Sequence, residues 1–406
     1  MISPVHLWVA QKTGLEKNLN PYKLAIWQRE RLKAVIDYAA KNTRFYNGKI
    51  DPSMQLEDLP FTLPSDIANN PYAFLAIPQN SVTRVTTLAN SGTTSLKKRI
   101  FFSQSDLERT KEFFSVGMST MVSKGDKVQI LISNRTENSL GSLLQESLSR
   151  IGVPAEISKS LRNVTEALEV SKDADCLVGM PAELLYMSRI APEMRPKSVL
   201  LAADIAPQAI IKSIKKTWKC NVFCHYGHTE FGYGIAVNCD ESDELHLRDA
   251  HNILEIIDIK TQEPALPGEV GEIVITTLWN EAMPLIRYKT GNISRLIAQP
   301  CKCGSNLHRM GNVEGRIADN IAIAKGKVLN IIQLDEILFT CNFVRGFNAS
   351  VSNYRGKTAL HLTIDATQRI DPTILEPVTP NEVDIDINYG AADPFTNRRK
   401  RRLSVK

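Results

Sequence analysis

The residues best suited to chemistry cluster in Asn90-Ser91-Gly92-Thr93-Thr94-Ser95-Leu96-Lys97-Lys98, which gathers hydroxyls, a glycine and two cations in one short segment. Backbone N–H groups and Ser/Thr hydroxyls donate to phosphate oxygens, and lysine neutralises their charge. Gly92 allows close backbone approach or a positive φ. That is chemistry for gripping a polyphosphate. The same composition is also that of an ordinary loop, and by composition alone both readings stand. A second group is Cys239 and His246 with Cys301 and Cys303. Three thiolates and one imidazole make a tetrahedral Zn²⁺ set, closed and therefore structural. The spacing is not that of a standard finger, so independent buried thiols are an equal alternative. Cys224 falls on a predicted strand and is a weaker ligand.

Those residues need elements to position them. Val85–Ala89 reads as a strand running into the hydroxyl-rich turn. Residues 22–41 carry Leu24, Trp27, Leu32, Val35, Ile36 and Ala39 at helical spacing, an amphipathic helix, with Phe45 and Tyr46 as anchors after it. Ser65 is placed to cap a short helix. From 85 to about 226, short apolar runs (127–133, 175–180, 198–203 and 221–225) alternate with helical stretches (138–150, 163–171, 181–190 and 206–217). This alternation predicts a mostly parallel α/β sheet, with ligands beyond the carboxyl ends of its strands. The hydroxyl-rich turn and Tyr226-Gly227-His228-Thr229-Glu230 both fall there. From 252 to about 297 the pattern changes to strands and turns, with strands at 253–258, 272–277, 285–288 and 293–297. The last stretch has the texture of a small α+β domain.

Bulk properties set bounds. The chain has 406 residues, 43% hydrophobic and 23% charged, with a net charge of +5, enough for two or three domains of an ordinary globular protein. No run of 18 apolar residues suggests a membrane helix. Met1-Ile2-Ser3-Pro4-Val5-His6 lacks the form of a secretion signal. The seven cysteines, an odd count, then argue for a reducing cytoplasm. The basic run Arg398–Arg402 reads first as a solvated tail and second as a nucleic-acid patch, which nothing else in the chain supports. By residue type alone, Glu230 is an ordinary surface or helix-start carboxylate.

Read together, the motifs resemble the adenylate-forming (AMP-binding) enzymes, in their phenylacetate–CoA ligase-like branch. Asn42-Thr43-Arg44-Phe45-Tyr46 and Leu59-Pro60-Phe61-Thr62 are similar to its N-terminal signatures. Ser91-Gly92-Thr93-Thr94 is similar to its phosphate loop, and Tyr226-Gly227-His228-Thr229-Glu230 to its aromatic-Gly-x-Thr-Glu motif. Glu255-Ile-Ile-Asp258 with Pro267-Gly268-Glu269-Val270-Gly271-Glu272-Ile273 follows. Met283-Pro284-Leu285-Ile286-Arg287-Tyr288-Lys289-Thr290-Gly291 closely matches the branch's Met-Pro-Leu-Ile-Arg-Tyr block. Cys301-Lys302-Cys303-Gly304 and Gly315-Arg316 complete an ordered set.

The resemblance implies a large domain over 1–315, with a β-rich subdomain around 240–312, and a small α+β lid over 316–406. It implies attack of a carboxylate on the α-phosphorus of ATP, giving an acyl-adenylate and pyrophosphate, then transfer to a thiol of coenzyme A or of a carrier protein. The acid is small, with an aromatic acid as the preference the branch carries. Ser91, Gly92, Thr93, Thr94 and Lys98 hold phosphates, Glu230 binds Mg²⁺, Thr229 touches phosphate, and Tyr226 and Gly227 lie beside adenine. Asn292 stands at the ribose position, and Arg316 reaches ribose or phosphate. Lys400 is the lid's catalytic lysine, with Lys406 as competitor and a disordered basic tail as the other reading of that run. His228 either lines the acyl pocket or is a plain loop residue. Some members of the branch carry a similar cysteine–histidine set. No nucleic acid or membrane partner is expected, and the oligomeric state is not legible.

The chain departs from the branch in several places. Ser95 stands for glycine and Lys97 for proline. Asn292 replaces the aspartate that holds the ribose hydroxyls, losing charge and a paired acceptor. Ala318-Asp319 replaces an acidic pair, and Ala203-Asp204 stands where a glutamate is common. These substitutions motivate an alternative, a catalytically impaired or repurposed nucleotide- or acyl-binding member of the fold.

Overall fold

The structure is a computed structural model, which describes residues 2–88, 97–132, 138–158, 160–354, 357–396, 398 and 400–405. The chain forms two compact units, each assembled from separate stretches: Met1–Thr120, Thr136–Ile151 and His225–Asn312 in the first, and Met121–Arg135, Gly152–Cys224 and Val313–Lys406 in the second.

The first unit is built on an antiparallel sheet. Its strand order is Asn252–Ile257, Val270–Thr277, Tyr288–Ile297, Arg309–Met310, Ser242–Leu247 and Ala236–Cys239, and His225 and Tyr226 then pair with Val237 and Ala236. A hairpin, Arg84–Leu88 with Lys98–Phe102, has Leu88 opposite Lys98. The helices Pro4–Thr13, Pro21–Asn42, Gln104–Met118 and Leu140–Arg150 belong to this unit. The predicted helix at 22–41 is therefore present. Asn20 caps it, accepting from Tyr22 and Lys23, and it buries Leu24, Leu32, Val35, Ile36 and Ala39 as the spacing required. Trp27 of that set is only half-buried.

The second unit carries the parallel sheet, ordered Ala155–Ile157, Val128–Ile130, Cys176–Gly179, Ser198–Leu201 and, as far as Cys224, the strand Asn221–Tyr226. Its central strands are buried on both faces, which is why their sequences are continuously apolar rather than alternating. The helices Val164–Ser171, Pro181–Ile190 and Gln208–Trp218 lie between the strands in sequence, as predicted. A second sheet is ordered Asp384–Tyr389, Lys357–Ala366, Val344–Tyr354 and Ser404–Val405. Glu336, on the helix Ile331–Leu338, caps Gln208–Trp218 by accepting from the N–H groups of Gln208 (2.6 Å) and Ala209 (2.9 Å).

Four local expectations are corrected. The strand read at 198–203 stops at Leu201, because Ala203 takes a positive φ of 67°. The strand read at 285–288 does not form. Buried Arg287 turns the chain at φ 44°, pairs with Glu255 at 3.1 and 2.8 Å, and donates to the carbonyls of Glu57 and Leu59. One long strand, Tyr288–Ile297, starts just after it and absorbs the segment read as 293–297. Ser65 does not cap the helix Pro64–Asn69: it sits inside the first turn, and the Asp66 carboxylate accepts from the Leu63 N–H at 2.8 Å. Among the described residues no helix is long and apolar enough to cross a membrane.

Candidate active site

The strand ending at Tyr226 runs into a tight loop. Within it, Tyr233 N–H donates to the His228 carbonyl (2.8 Å) and Ile235 N–H to the Tyr226 carbonyl (2.9 Å). Gly227 is obligatory, because a Cβ there would fall 1.4 Å from the Tyr233 carbonyl oxygen. The turn Thr229–Phe231 thereby fixes Glu230 inside the protein, 2% exposed.

Three groups surround that carboxylate. Lys98 Nζ approaches Oε1 at 2.5 Å and Tyr288 Oη donates to the same oxygen at 3.0 Å; His228 Nδ1 lies 3.3 Å from Oε2. Lys98 also donates to Tyr288 Oη at 3.1 Å. Burial opposes the charge on Glu230, but His228 and Lys98 outweigh it, and the carboxyl is held well below its usual range. Glu230 is thus an ionised carboxylate in a low-dielectric setting, matched by the Lys98 ammonium. The surface carboxylate that residue type alone suggested is not what forms.

Asn292, 4% exposed, joins the cluster from the strand Tyr288–Ile297. Its amide Nδ2 meets Tyr226 Oη at 3.1 Å and His228 Nε2 at 2.5 Å. His228 therefore bridges Asn292 and Glu230, a pattern that suits a proton on Nδ1. The sequence offers His228 either an acyl-pocket role or a plain loop role. Tyr288 received no role from the sequence, although the strand's period of two puts it on the face of Asn292.

Lys98, Tyr226, Gly227, Thr229, Glu230 and Asn292 all belong to the first unit. The hydroxyl-rich segment Ser91, Gly92, Thr93 and Thr94 lies outside the described residues, as does Lys406. Lys98, the last residue of that predicted grip, is the one that touches Glu230.

Arg316 and Lys400 belong to the second unit. Arg316 donates to Asp319 (3.1 Å) and to Asp204 (3.2 Å), and Asp204 also accepts from the Arg401 N–H at 2.8 Å. Lys400 is exposed, but its neighbours are anchored. Arg398 pairs with Glu183 at 2.7 and 2.8 Å, and Arg401 with Asp335 at 2.6 Å. Glu183 is 0% exposed and Asp335 1%. The expected solvated tail is therefore corrected at Arg398 and Arg401, because buried carboxylates from two helices require these arginines as counter-ions.

The cysteine set also converges. Ligand atoms of Cys239, His246, Cys301 and Cys303, all buried, lie within 4.8 Å of one another. The Sγ atoms of Cys239 and Cys301 are 3.7 Å apart, and Cys303 Sγ is 3.6 Å from His246 Nε2. A tetrahedron with Zn–S bonds of about 2.3 Å has edges of about 3.8 Å, so these donors fit that ion.

This architecture is a known fold. Its fold aligns with a 2-hydroxyisobutyryl-CoA ligase solved in a postadenylation state with 2-HIB-AMP, at TM-score 0.79 and 16% identity over 94% of this chain and 89% of that one. In sequence it is 29% identical to a phenylacetate-coenzyme A ligase of Thermus thermophilus over 78% of this chain and 75% of that protein. It is 28% identical to one of Pseudomonas putida over 76% of each. No family model matches the chain. The fold is that of the adenylate-forming enzymes. In sequence the chain is similar to the phenylacetate-coenzyme A ligases.

Proposed function

We propose that the protein activates a small carboxylic acid with MgATP and passes the acyl group to the thiol of coenzyme A. A carboxylate oxygen bonds to the α-phosphorus, the bond to the β-phosphate breaks, and pyrophosphate leaves with its electron pair. Thiol attack on the adenylate then releases AMP. The observation that carries this reading is the buried, ionised Glu230 shared with Lys98 at the end of the predicted phosphate grip. The curated relatives named phenylacetate-coenzyme A ligase support it.

The transition state gathers negative charge on phosphate oxygens, so positioning and electrostatics supply most of the catalysis. In this reading Lys98 turns from Glu230 to the phosphates, and the carboxylate it leaves would hold Mg²⁺, a hard cation that takes oxygen donors. When bound, that ion neutralises phosphate charge. Ser91, Gly92, Thr93 and Thr94 hold phosphates, Thr229 touches one, and Tyr226, Gly227 and Asn292 face the nucleoside. Residues 316–406 act as the lid that carries Lys400, with Arg316 near its hinge. Cys239, His246, Cys301 and Cys303 hold a structural Zn²⁺, so metal analysis is expected to find about one zinc per chain and Cys303→Ser to release it. A reducing, cytoplasmic setting suits those thiols. An acyl carrier protein is the alternative acceptor.

ATP–pyrophosphate exchange over a panel of acids tests the proposal, with incorporation of label expected for at least one acid. A second reading is favoured by Asn292, whose amide is committed to Tyr226 and His228 where the branch has an aspartate. That reading is an impaired nucleotide-binding member. Nucleotide binding by calorimetry without exchange for any acid would select it.

A further inference from the structure

Glu183 is a buried acid with no part in the cluster around Glu230. It lies in the first turn of the helix Pro181–Ile190, in the second unit, and is 0% exposed. A carboxylate at this position has a local use, since it accepts from the Met180 N–H at the start of the helix. Two oxygens offer about four acceptor sites, so capacity remains for a distant partner. Arg398 fills it. Its Nε meets Oε1 at 2.7 Å and its Nη2 meets Oε2 at 2.8 Å, a two-pronged pairing. The same Nη2 donates to the Leu131 carbonyl. Burial raises the Glu183 pKa and Arg398 opposes that shift.

Two residues further on, Lys400 is exposed, and the peptide that follows it is also held. The Arg401 N–H donates to Asp204 at 2.8 Å. The Arg401 fork lies on Asp335 at 2.6 and 3.1 Å, and its Nη1 donates to the Phe347 carbonyl at 3.0 Å. Upstream, Asp393 accepts from the Val164 N–H at 3.2 Å. Lys400 therefore has one anchor two residues before it and another directly after it. An extended chain advances at most about 3.6 Å per residue, so these anchors leave the Lys400 backbone little room.

Buried ion pairs are poor sources of stability, because apolar residues of similar volume often do as well. What a guanidinium–carboxylate fork does supply is direction as well as distance. Two such forks three residues apart, on either side of an exposed cation, are suited to setting a position. A solvated basic run needs neither.

We infer that Glu183 is a positioning residue that holds Lys400 in place through Arg398, with Asp204 and Asp335 as the matching hold on the other side. The inference rests on the reading of Lys400 as the lysine that serves adenylation, and protease susceptibility tests the hold by itself.

The experiment uses the full chain. Glu183→Gln keeps the shape and the acceptor for the Met180 N–H but loses the charge that grips Arg398. Tryptic cleavage after Lys400, read by mass spectrometry, is expected to be about tenfold faster, since a released segment opens more often. The kcat of pyrophosphate exchange is expected to fall on the order of tenfold or more, with the KM for ATP little changed. In a Lys400→Ala background the same substitution should add nothing, because residues that act as a unit are non-additive. Arg398→Lys covers the case in which Glu183→Gln fails to fold. It keeps the charge but not the fork, and the same pattern is expected at about threefold. Equal losses with and without Lys400 mean that Glu183 serves only the fold, which overturns the inference. So does exchange unmoved by Glu183→Gln where Lys400→Ala lowers it, and so does unchanged cleavage. Should no acid support exchange, or Lys400→Ala leave it intact, while Glu183→Gln speeds cleavage, the hold stands and only the proposed role of Lys400 falls.

Discussion

Glu230 and Asp335 are both buried carboxylates facing a cation, one in each compact unit, and their surroundings treat them in opposite ways. Glu230 meets a lysine, a compact charge on a flexible stem, together with a phenol and an imidazole. Asp335 meets the fork of Arg401 at 2.6 and 3.1 Å, and the same guanidinium is fastened to the Phe347 carbonyl at 3.0 Å. Lysine exchanges partners readily, whereas a planar fork locks geometry. Glu230 is held below its usual range by His228 and Lys98 in spite of burial. Burial pushes Asp335 up from 3.8 to about 6, with Arg401 opposing. The first pairing is of the chemical kind that can exchange partners, and the second of the kind that stays put. Asp335 fastens the chain at Arg401 as Glu183 does at Arg398, while Lys400, between them, is exposed.

The sharpest way to break this comparison is Glu230→Gln. Pyrophosphate exchange is expected to fall by roughly 10²–10³ or more, with the circular dichroism spectrum retained; unchanged exchange removes Glu230 from the chemistry. Next comes Arg401→Ala, which leaves Asp335 as a buried, unpaired charge. A loss of about 3–5 kcal/mol in urea unfolding is expected, and less when Asp335→Asn is combined with it. Equal losses in both backgrounds mean the pair is not the lock.

The pH dependence carries opposite signs at the two sites. Folded Asp335 binds its proton more tightly than the unfolded chain does, so between pH 3.8 and about 6 its contribution makes stability fall as pH rises. At about 1.4 kcal/mol per pH unit this amounts to about 3 kcal/mol. The Glu230 contribution is complete above the ordinary carboxylate range and is lost on acidification. Unfolding curves from pH 4 to 7 for Asp335→Asn should lack the falling component that wild type shows. The smallest expected effect is at Asn292→Asp. Restoring a paired, charged acceptor is expected to lower the KM for ATP about threefold to tenfold; a weaker interaction shows that the Asn292–His228–Tyr226 arrangement is itself the adapted state.

Much of this was readable beforehand, and for identifiable reasons. Helices such as Pro181–Ile190 matched to the residue, because proline at the first position and a strand before it mark the start. The parallel strands were legible as apolar runs. The Cys239, His246, Cys301 and Cys303 set was named from ligand chemistry, and its atoms converge. What failed were positions where one residue overrides its segment. Arg287 breaks a strand by turning at positive φ to reach Glu255, and Arg398 and Arg401 leave the solvent because Glu183 and Asp335 are buried. Local composition has no access to a partner more than 30 residues away.

Order along the chain fixed the motifs, and residue type fixed which of them could donate, accept or ligate. Those properties are covalent and survive in any conformation. Burial, and the identity of the group across the gap, arose only when distant segments packed. Folding turned Glu230 from an ordinary acid into an ionised carboxylate held by Lys98. It also buried Arg248 against two backbone carbonyls and the His251 ring, since charge energetics depend on distance and dielectric, which no linear string contains.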